Sequence, residues 1–236
     1  KAAIAAFIEA LRAVRGKKIP GIEFIFTFGE EQGLKGAKTL NFHSIKSRNI
    51  FCFDAAGDVG TIVIDTPTHK TYKIKIYGKA AHAGVDPEKG KSAIIAASRI
   101  IIGIKQGKLD KETTANVGLI SGGRATNIVP DYAEISGEVR SRNMHKLNKY
   151  LVLLKKTVST QSNVKASLEI FEEYRAYKFS RNDPIIKVVS NALKRIGRRP
   201  VYCASNGGSD SNIFNMHGLK TINLGIGMEN VHSCSE

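Results

Sequence analysis

Two adjacent acids, Glu30 and Glu31, follow an apolar run that closes at Gly29, and a third acid, Asp54, follows a second run that closes at Phe53. Carboxylates gathered at the ends of neighbouring strands are the donor set a divalent cation needs, because packed anions without a cation repel one another. On extended backbone, consecutive side chains point to different sides, so one carboxylate of the pair can grip a metal while the other faces a water or a substrate. Taken singly, an acid pair after a strand is a common turn, and an Asp before small residues is a common loop former. Only the coincidence of the three points to chemistry.

These acids need elements to hold them. The run Phe24 to Phe28, aromatic and β-branched throughout, reads as a buried strand that delivers Glu30 and Glu31 to its carboxyl end, where open α/β sheets bind ligands. Gly33 and Gly36 let the chain turn beneath them. Asn49 to Phe53 reads as a second buried strand, with Ala37 to Ile45 partly helical before it. Lys1 to Val14 is an amphipathic helix with Ile4, Ile8, Leu11 and Val14 on one face. It opens with no capping residue and no initiator Met, which reads as the interior of a larger protein.

From Thr66 the pattern changes. Thr71 to Tyr77 alternates as a strand, Ser92 to Ile104 is a helix, Ala115 to Ser121 and Ala133 to Arg140 are strands, His145 to Val158 is a helix and Ala166 to Phe171 a strand. The order β-α-β-β-α-β is that of a ferredoxin-like split βαβ unit. The reading is an α/β protein in two domains, residues 1–65 with 180–236, and an inserted α+β domain over 66–179. Pro184 to Ile196 resumes the first domain as a helix with Asp183 as its cap. Val201 and Tyr202 read as an edge strand, and Thr221 to Leu224 as another strand.

The chain has 236 residues, 42% of them hydrophobic and 24% charged, enough for a sizeable core. No apolar run reaches the roughly 18 residues of a membrane span. Three cysteines, Cys52, Cys203 and Cys234, make an odd set without close spacing, which argues against a disulfide framework and for a reducing, cytoplasmic setting. The net charge is +15. Thr66 to Ser180 carries 20 Lys and Arg against 10 Asp and Glu, and the rest of the chain 16 against 11, so the excess is spread out. It lacks a dense basic run and the repeated aromatics that stack on bases, which reads as a solvated surface and not a nucleic-acid site.

In order along the chain, Phe28-Gly29-Glu30-Glu31-Gln32-Gly33, Phe53-Asp54, Gly78-Lys79-Ala80-Ala81-His82-Ala83-Gly84, Asn206-Gly207-Gly208-Ser209-Asp210 and Val231-His232-Ser233 resemble the dizinc metallopeptidase family that includes peptidase T, aminoacylases and succinyl-diaminopimelate desuccinylase. The likeness is greatest to the peptidase T-like branch. It implies a zinc-exopeptidase-like α/β/α catalytic domain carrying the insert as a lid and dimerisation domain. It implies two divalent metal ions, zinc first and cobalt or manganese otherwise, with Glu31, Asp54 and His232 among the ligands and Glu30 as the general base on a metal-bridging water. His82, contributed by the insert of a partner subunit in a homodimer, would hydrogen-bond the developing oxyanion.

Arg140 resembles the arginine that grips a substrate carboxylate, and Asn127, in Gly122-Gly123-Arg124-Ala125-Thr126-Asn127, a lid asparagine. Gly207 and Gly208 would offer backbone N–H groups to the substrate. His43, His69, His145 and His217 have no such context and read as surface or packing residues. The family's first ligands, a His in a His-x-Asp motif and a bridging Asp, would lie upstream of Lys1, so the chain as it stands should be inactive or metal-poor. The implied activity of the intact protein is that of an aminopeptidase on short peptides, tripeptides first. An N-acyl amino acid amidohydrolase with the same centre, and a non-catalytic protein binding through its basic surface, are the other readings.

Overall fold

Helix α1 (Ala2–Val14) opens a computed structural model that describes residues 2–160 and 163–228. Its apolar stripe is not buried among the described residues: Ile4, Ile8 and Leu11 stay close to half exposed. Phe7 instead meets Phe24 and Phe53 edge-on, with ring centroids 5.4 and 5.1 Å apart. The run Phe24 to Phe28 is not the buried strand expected. It makes no strand pairing among the described residues, and Phe26 and Phe28 are 61% and 67% exposed. Strand propensity is realised only against a neighbouring strand.

Glu30 and Glu31 consequently do not leave a strand end. They sit in a short 3-10 turn, Glu30–Gln32, between two left-handed glycines, Gly29 at φ 60° and Gly33 at φ 86°. Helix α2 (Lys35–Lys38) follows, then a 3-10 turn at Phe42–Ser44 begun by Asn41, whose side chain accepts from the His43 N–H. Strand β1 (Asn49–Ala56) is half-buried to exposed along most of its length, against the buried strand expected. It runs on past Phe53, so Asp54 stands within a strand and not beyond one. Strand β2 (Thr61–Asp65) had no counterpart in the sequence reading.

The next segment builds a second sheet from β3 (Thr68–Tyr77), helix α3 (Ala93–Gly103), the two-residue β4 (Gly107–Lys108), β5 (Thr113–Gly122), β6 (Tyr132–Ser141), helix α4 (Met144–Ser159) and β7 (Lys165–Tyr174). Their order in the sheet is β4-β5-β6-β3-β7, antiparallel throughout. Without the short β4 this is the split βαβ arrangement expected, first strand between third and fourth. Ser92 caps α3 by accepting from Ile95 N–H, and Asn143 caps α4 by accepting from the His145 and Lys146 N–H groups. Alternate residues of the strands, Ile74, Ile76 and Ile135, pack with Ile100, Leu147 and Leu154 of the helices in a fully buried core. Each such side chain contributes about 1.5–3 kcal/mol. The other face carries charge, with Lys73 paired to Glu134 at 3.2 Å and Lys75 to Glu169 at 2.6 Å.

The chain then returns to the first sheet through α5 (Pro184–Arg195), β8 (Val201–Ala204), α6 (Asp210–Met216) and β9 (Lys220–Met228). The order is β1-β9-β2-β8, with β8 at the edge as expected. Ile222 and Leu224 of β9 pack with Ile185, Ile186 and Val189 of α5. Asn223, between them, turns the other way and donates to Ser209 at the cap of α6. The two helices thus cover opposite faces, the α/β/α layering. Asp183 precedes α5, yet its side chain accepts from Ser180 N–H and caps no helical N–H.

Two compact units result, Lys1–Thr66 with Arg175–Glu236, and Pro67–Tyr174. Among the described residues no helix is long and apolar enough to cross a membrane.

Candidate active site

The turn that holds Glu30 closes on itself. Leu34 N–H donates to Glu30 O at 2.8 Å, Lys35 N–H to Gly29 O at 3.2 Å and Gly36 N–H to Phe28 O at 2.8 Å. Gly36 must be glycine for that last bond, since an added Cβ would run into the backbone N and O of Phe28. Leu34 is the single non-glycine at positive φ among the described residues, at 61°. A left-handed leucine costs about 1–2 kcal/mol, and its burial to 5% exposure holds it there. Catalytic side chains are often fixed by such over-determined turns.

Glu30, Asp54 and Asp210 line one cleft of about 550 Å³, whose remaining walls are largely apolar and include Phe7, Phe24 and Phe53. Their convergence is felt by the thiol of Cys52. Burial pushes that thiol up first, and the charges of Asp54, Asp210 and Glu30 push it further. Asp210 opens α6 and had no role in the sequence reading beyond its place in the Asn206 to Asp210 motif. Thr27 Oγ1 donates to its Oδ2 at 2.5 Å, while its Oδ1 is buried without a hydrogen-bond partner among the described residues. Burial raises the Asp210 carboxyl above the usual carboxylate range, with the Thr27 bond opposing. A buried carboxylate oxygen lacking a donor among the described residues, in a cleft lined by two further acids, is chemistry that a cation would relieve.

Glu31 is exposed and does not line this cleft. Among the described residues no three His, Cys, Asp or Glu side chains gather closely enough to hold an ion by themselves. His232 lies outside the described residues. Of the expected ligands, Asp54 is the one that lines the cleft among the described residues, next to the expected base Glu30.

Asp54 also lines a smaller cavity of about 240 Å³ with Gly207, Gly208, Ser209 and Asn223. Asn223 ties the two sides together, accepting from Asp54 N–H at 3.1 Å and donating to Ser209 Oγ at 3.1 Å. Beneath it Ser209 meets Ser211 at 2.5 Å, and Ser211 donates to the Tyr177 hydroxyl at 3.4 Å. Asn212 closes a capping box on Ser209 and donates to Thr66 Oγ1 and Arg175 O. This buried network makes the Gly-Gly turn rigid. The Gly207 N–H is spent on Ser205 Oγ at 3.0 Å, which removes one of the two donors expected to face a substrate.

In the second unit His82 and Asn127 are neighbours. His82 bridges Ile128, Ala83 N–H donates to Asn127 O at 2.9 Å, and Val129 N–H donates to Ala81 O at 2.9 Å. Both residues are exposed. His82 Nδ1 accepts from Gly84 N–H at 3.2 Å, which leaves the proton of the neutral ring on Nε2, in the donor form an oxyanion requires.

Arg140 was expected, from the resemblance, to grip a substrate carboxylate. It is engaged: Nε and Nη2 donate to the two oxygens of Glu138 at 2.9 and 3.0 Å, and Nη1 reaches the Tyr174 hydroxyl at 3.4 Å. His69, read from sequence as a surface or packing residue, is buried with Nε2 3.0 Å from Glu138 Oε2, off the line of a good hydrogen bond. The His69 imidazole first, and Arg140 after it, hold the Glu138 carboxyl at about 2 against the opposing effect of burial.

Glu138's value is depressed from 4.5 on folding, so its stabilising effect is complete above about 4.5 and is lost as the pH falls toward about 2. Thermal unfolding of the native protein and of Glu138→Gln, followed from about pH 6 to about pH 2, should therefore show a gap that closes on acidification. A gap that stays constant would mean that Glu138 does not titrate there.

Residues 65–164 match the family model of the M20 peptidase dimerisation domain. The protein YqjE of Bacillus subtilis (strain 168), itself uncharacterized, is 39% identical over 241 residues, which cover 100% of this chain and 65% of that protein. The crystal structure of aminopeptidase PepT from Bacillus cereus superposes with a TM-score of 0.85 at 40% identity, over 98% of this chain and 64% of that one. A tripeptidase from Staphylococcus aureus gives a TM-score of 0.89 at 35% identity, over 98% and 63%. The chain thus spans just under two thirds of the length of these relatives.

Proposed function

Because the chain belongs to the M20 family of peptidases, we propose that the intact protein is a metal-dependent aminopeptidase that releases the N-terminal residue of short peptides, tripeptides first, and works as a homodimer. The observation that carries this reading is that Glu30, Asp54 and Asp210 line one cleft, with a buried carboxylate oxygen of Asp210 that has no donor among the described residues. The names of its relatives, an aminopeptidase and a tripeptidase, support the substrate class.

Glu31, Asp54 and His232 would be among the ligands of two divalent ions, zinc first. When bound, such ions supply a polarised scissile carbonyl and an activated water. Glu30 takes a proton on its carboxylate as the attack proceeds and returns it to the leaving amine nitrogen. His82, with its proton on Nε2, donates to the oxyanion that develops on the former carbonyl. Arg140 takes the peptide's free C-terminal carboxylate, which sets the length of peptide accepted. Gly208 and the turn around Gly207 would be substrate contacts from the first unit, and Asn127 one from the second.

The test pairs elemental analysis of the intact protein with hydrolysis of a tripeptide, a dipeptide and an N-acyl amino acid. About two metal ions per chain and chelator-sensitive release of the tripeptide's first residue are expected. Preference for the N-acyl amino acid would move the assignment to an amidohydrolase of the same family. A protein inert on all three after zinc, cobalt or manganese is supplied, and binding nucleic acid in a steeply salt-dependent way, would overturn it.

A further inference from the structure

The charged face of the second sheet contains one group of four side chains that differs from the ion pairs beside it. His69 on β3 stands in register with Arg140 on β6 and with Tyr174 on β7, so the three come from three adjacent strands. Glu138 lies two residues before Arg140 on the same strand and hence on the same face. On that face Lys73 meets Glu134 at 3.2 Å and Lys75 meets Glu169 at 2.6 Å, each lysine through its one Nζ. Glu138, by contrast, takes both donors of one edge of the Arg140 guanidinium, Nε and Nη2.

A guanidinium is a rigid planar fork with five N–H donors, so gripping one edge fixes the direction of the rest. With the Nε and Nη2 edge held, the terminal edge between Nη1 and Nη2 is the one that can receive a second carboxylate. Tyr174 stands beside that edge, 3.4 Å from Nη1, and the His69 ring leans on Tyr174 with centroids 5.1 Å apart. The Arg140 side chain is still 30% exposed, so this edge is not sealed.

We propose that Glu138 is the positioning residue for Arg140, presenting its terminal edge to the substrate's C-terminal carboxylate, with His69 and Tyr174 boxing the pair. The inference rests on the reading of Arg140 as the carboxylate grip. An unheld arginine gives up the rotamer freedom of a long side chain each time it binds, and Glu138 removes that loss in advance. The arrangement also selects: two parallel N–H groups suit two carboxylate oxygens, whereas a C-terminal amide puts an NH₂ donor against one of them.

The test uses the intact, metal-loaded protein and one tripeptide in two forms, with a free C-terminal carboxylate and with a C-terminal amide. Glu138→Gln keeps size and removes one acceptor; Glu138→Asp keeps the charge and withdraws it by a methylene. Both should raise KM for the free acid about three- to tenfold, leave its kcat within about twofold and leave kcat/KM for the amide unchanged. Equal losses on acid and amide, or no change on either, would overturn the proposal, and either variant suffices if the other does not fold. Arg140→Lys on the same pair separates the two layers. If it loses the preference for acid while the Glu138 variants keep it, positioning by Glu138 is wrong and the grip stands. If Arg140→Lys leaves the preference intact, the grip falls and the positioning with it.

Discussion

Glu30→Gln is expected to leave the protein folded and its metal content unchanged while kcat on a tripeptide falls about 10²–10⁴-fold, the ordinary worth of a general base. The turn that carries Glu30 is closed by backbone bonds among residues 28–36 and by the left-handed Gly29 and Gly33, none of which uses the Glu30 carboxylate. Glutamine therefore keeps the shape and loses the ability to take a proton. An interaction made only in the transition state lowers kcat and kcat/KM together, so KM should stay within about twofold. Glu31→Gln is the contrast, since loss of the proposed ligand should appear first as loss of metal. Turnover unchanged in Glu30→Gln would remove Glu30 from the mechanism, and loss of metal in that variant would make it a ligand instead.

The inserted unit was legible in the sequence because its signals are local and redundant. Alternation over Thr71 to Tyr77 and Ala133 to Arg140, and the helical runs Ser92 to Ile104 and His145 to Val158, each predict their own element, and the order of the elements predicts the sheet. The first unit was less so. Phe24 to Phe28 has the composition of a buried strand, but strand formation depends on a neighbour that composition does not encode. Strand β2, only five residues long and ending on Asp65, offered too short a pattern to stand out.

At the site, the acids could be found by type and order, while their geometry could not. That Glu30 stands on a 3-10 turn follows from two left-handed glycines and a left-handed leucine, and the leucine carries no sequence signal for that conformation. Asp210 was quoted in its motif but not weighed, because its significance lies in a buried oxygen without a donor, a property of packing. His69 has no neighbours in sequence that mark it; its neighbours are Glu138, Arg140 and Tyr174 across two strand pairings. The one available clue was period. His69 falls in phase with Thr71, Lys73 and Lys75 on the polar face of β3, and a histidine continuing a charged face is a candidate for an ionic group there.

Two inactive variants, Glu30→Gln and His82→Ala, are expected to regain activity when co-folded as mixed dimers. His82→Ala alone should lose about 10²–10³-fold in kcat, the worth of one oxyanion donor. If each site draws Glu30 from one protomer and His82 from the other, a mixed dimer has one site with both residues mutated and one with both native. Random pairing of equal amounts makes about half the dimers mixed, and half of their sites are native, so the mixture should recover about a quarter of native turnover. If both residues of a site came from the same protomer, every site in the mixture would carry one mutation and no activity would return. His82 is suited to such a role on two grounds. It is exposed, and the Gly84 N–H bond to Nδ1 keeps its donor proton on Nε2. The complementation assay therefore tests the dimer as the catalytic unit directly, by a yield that neither residue alone can produce.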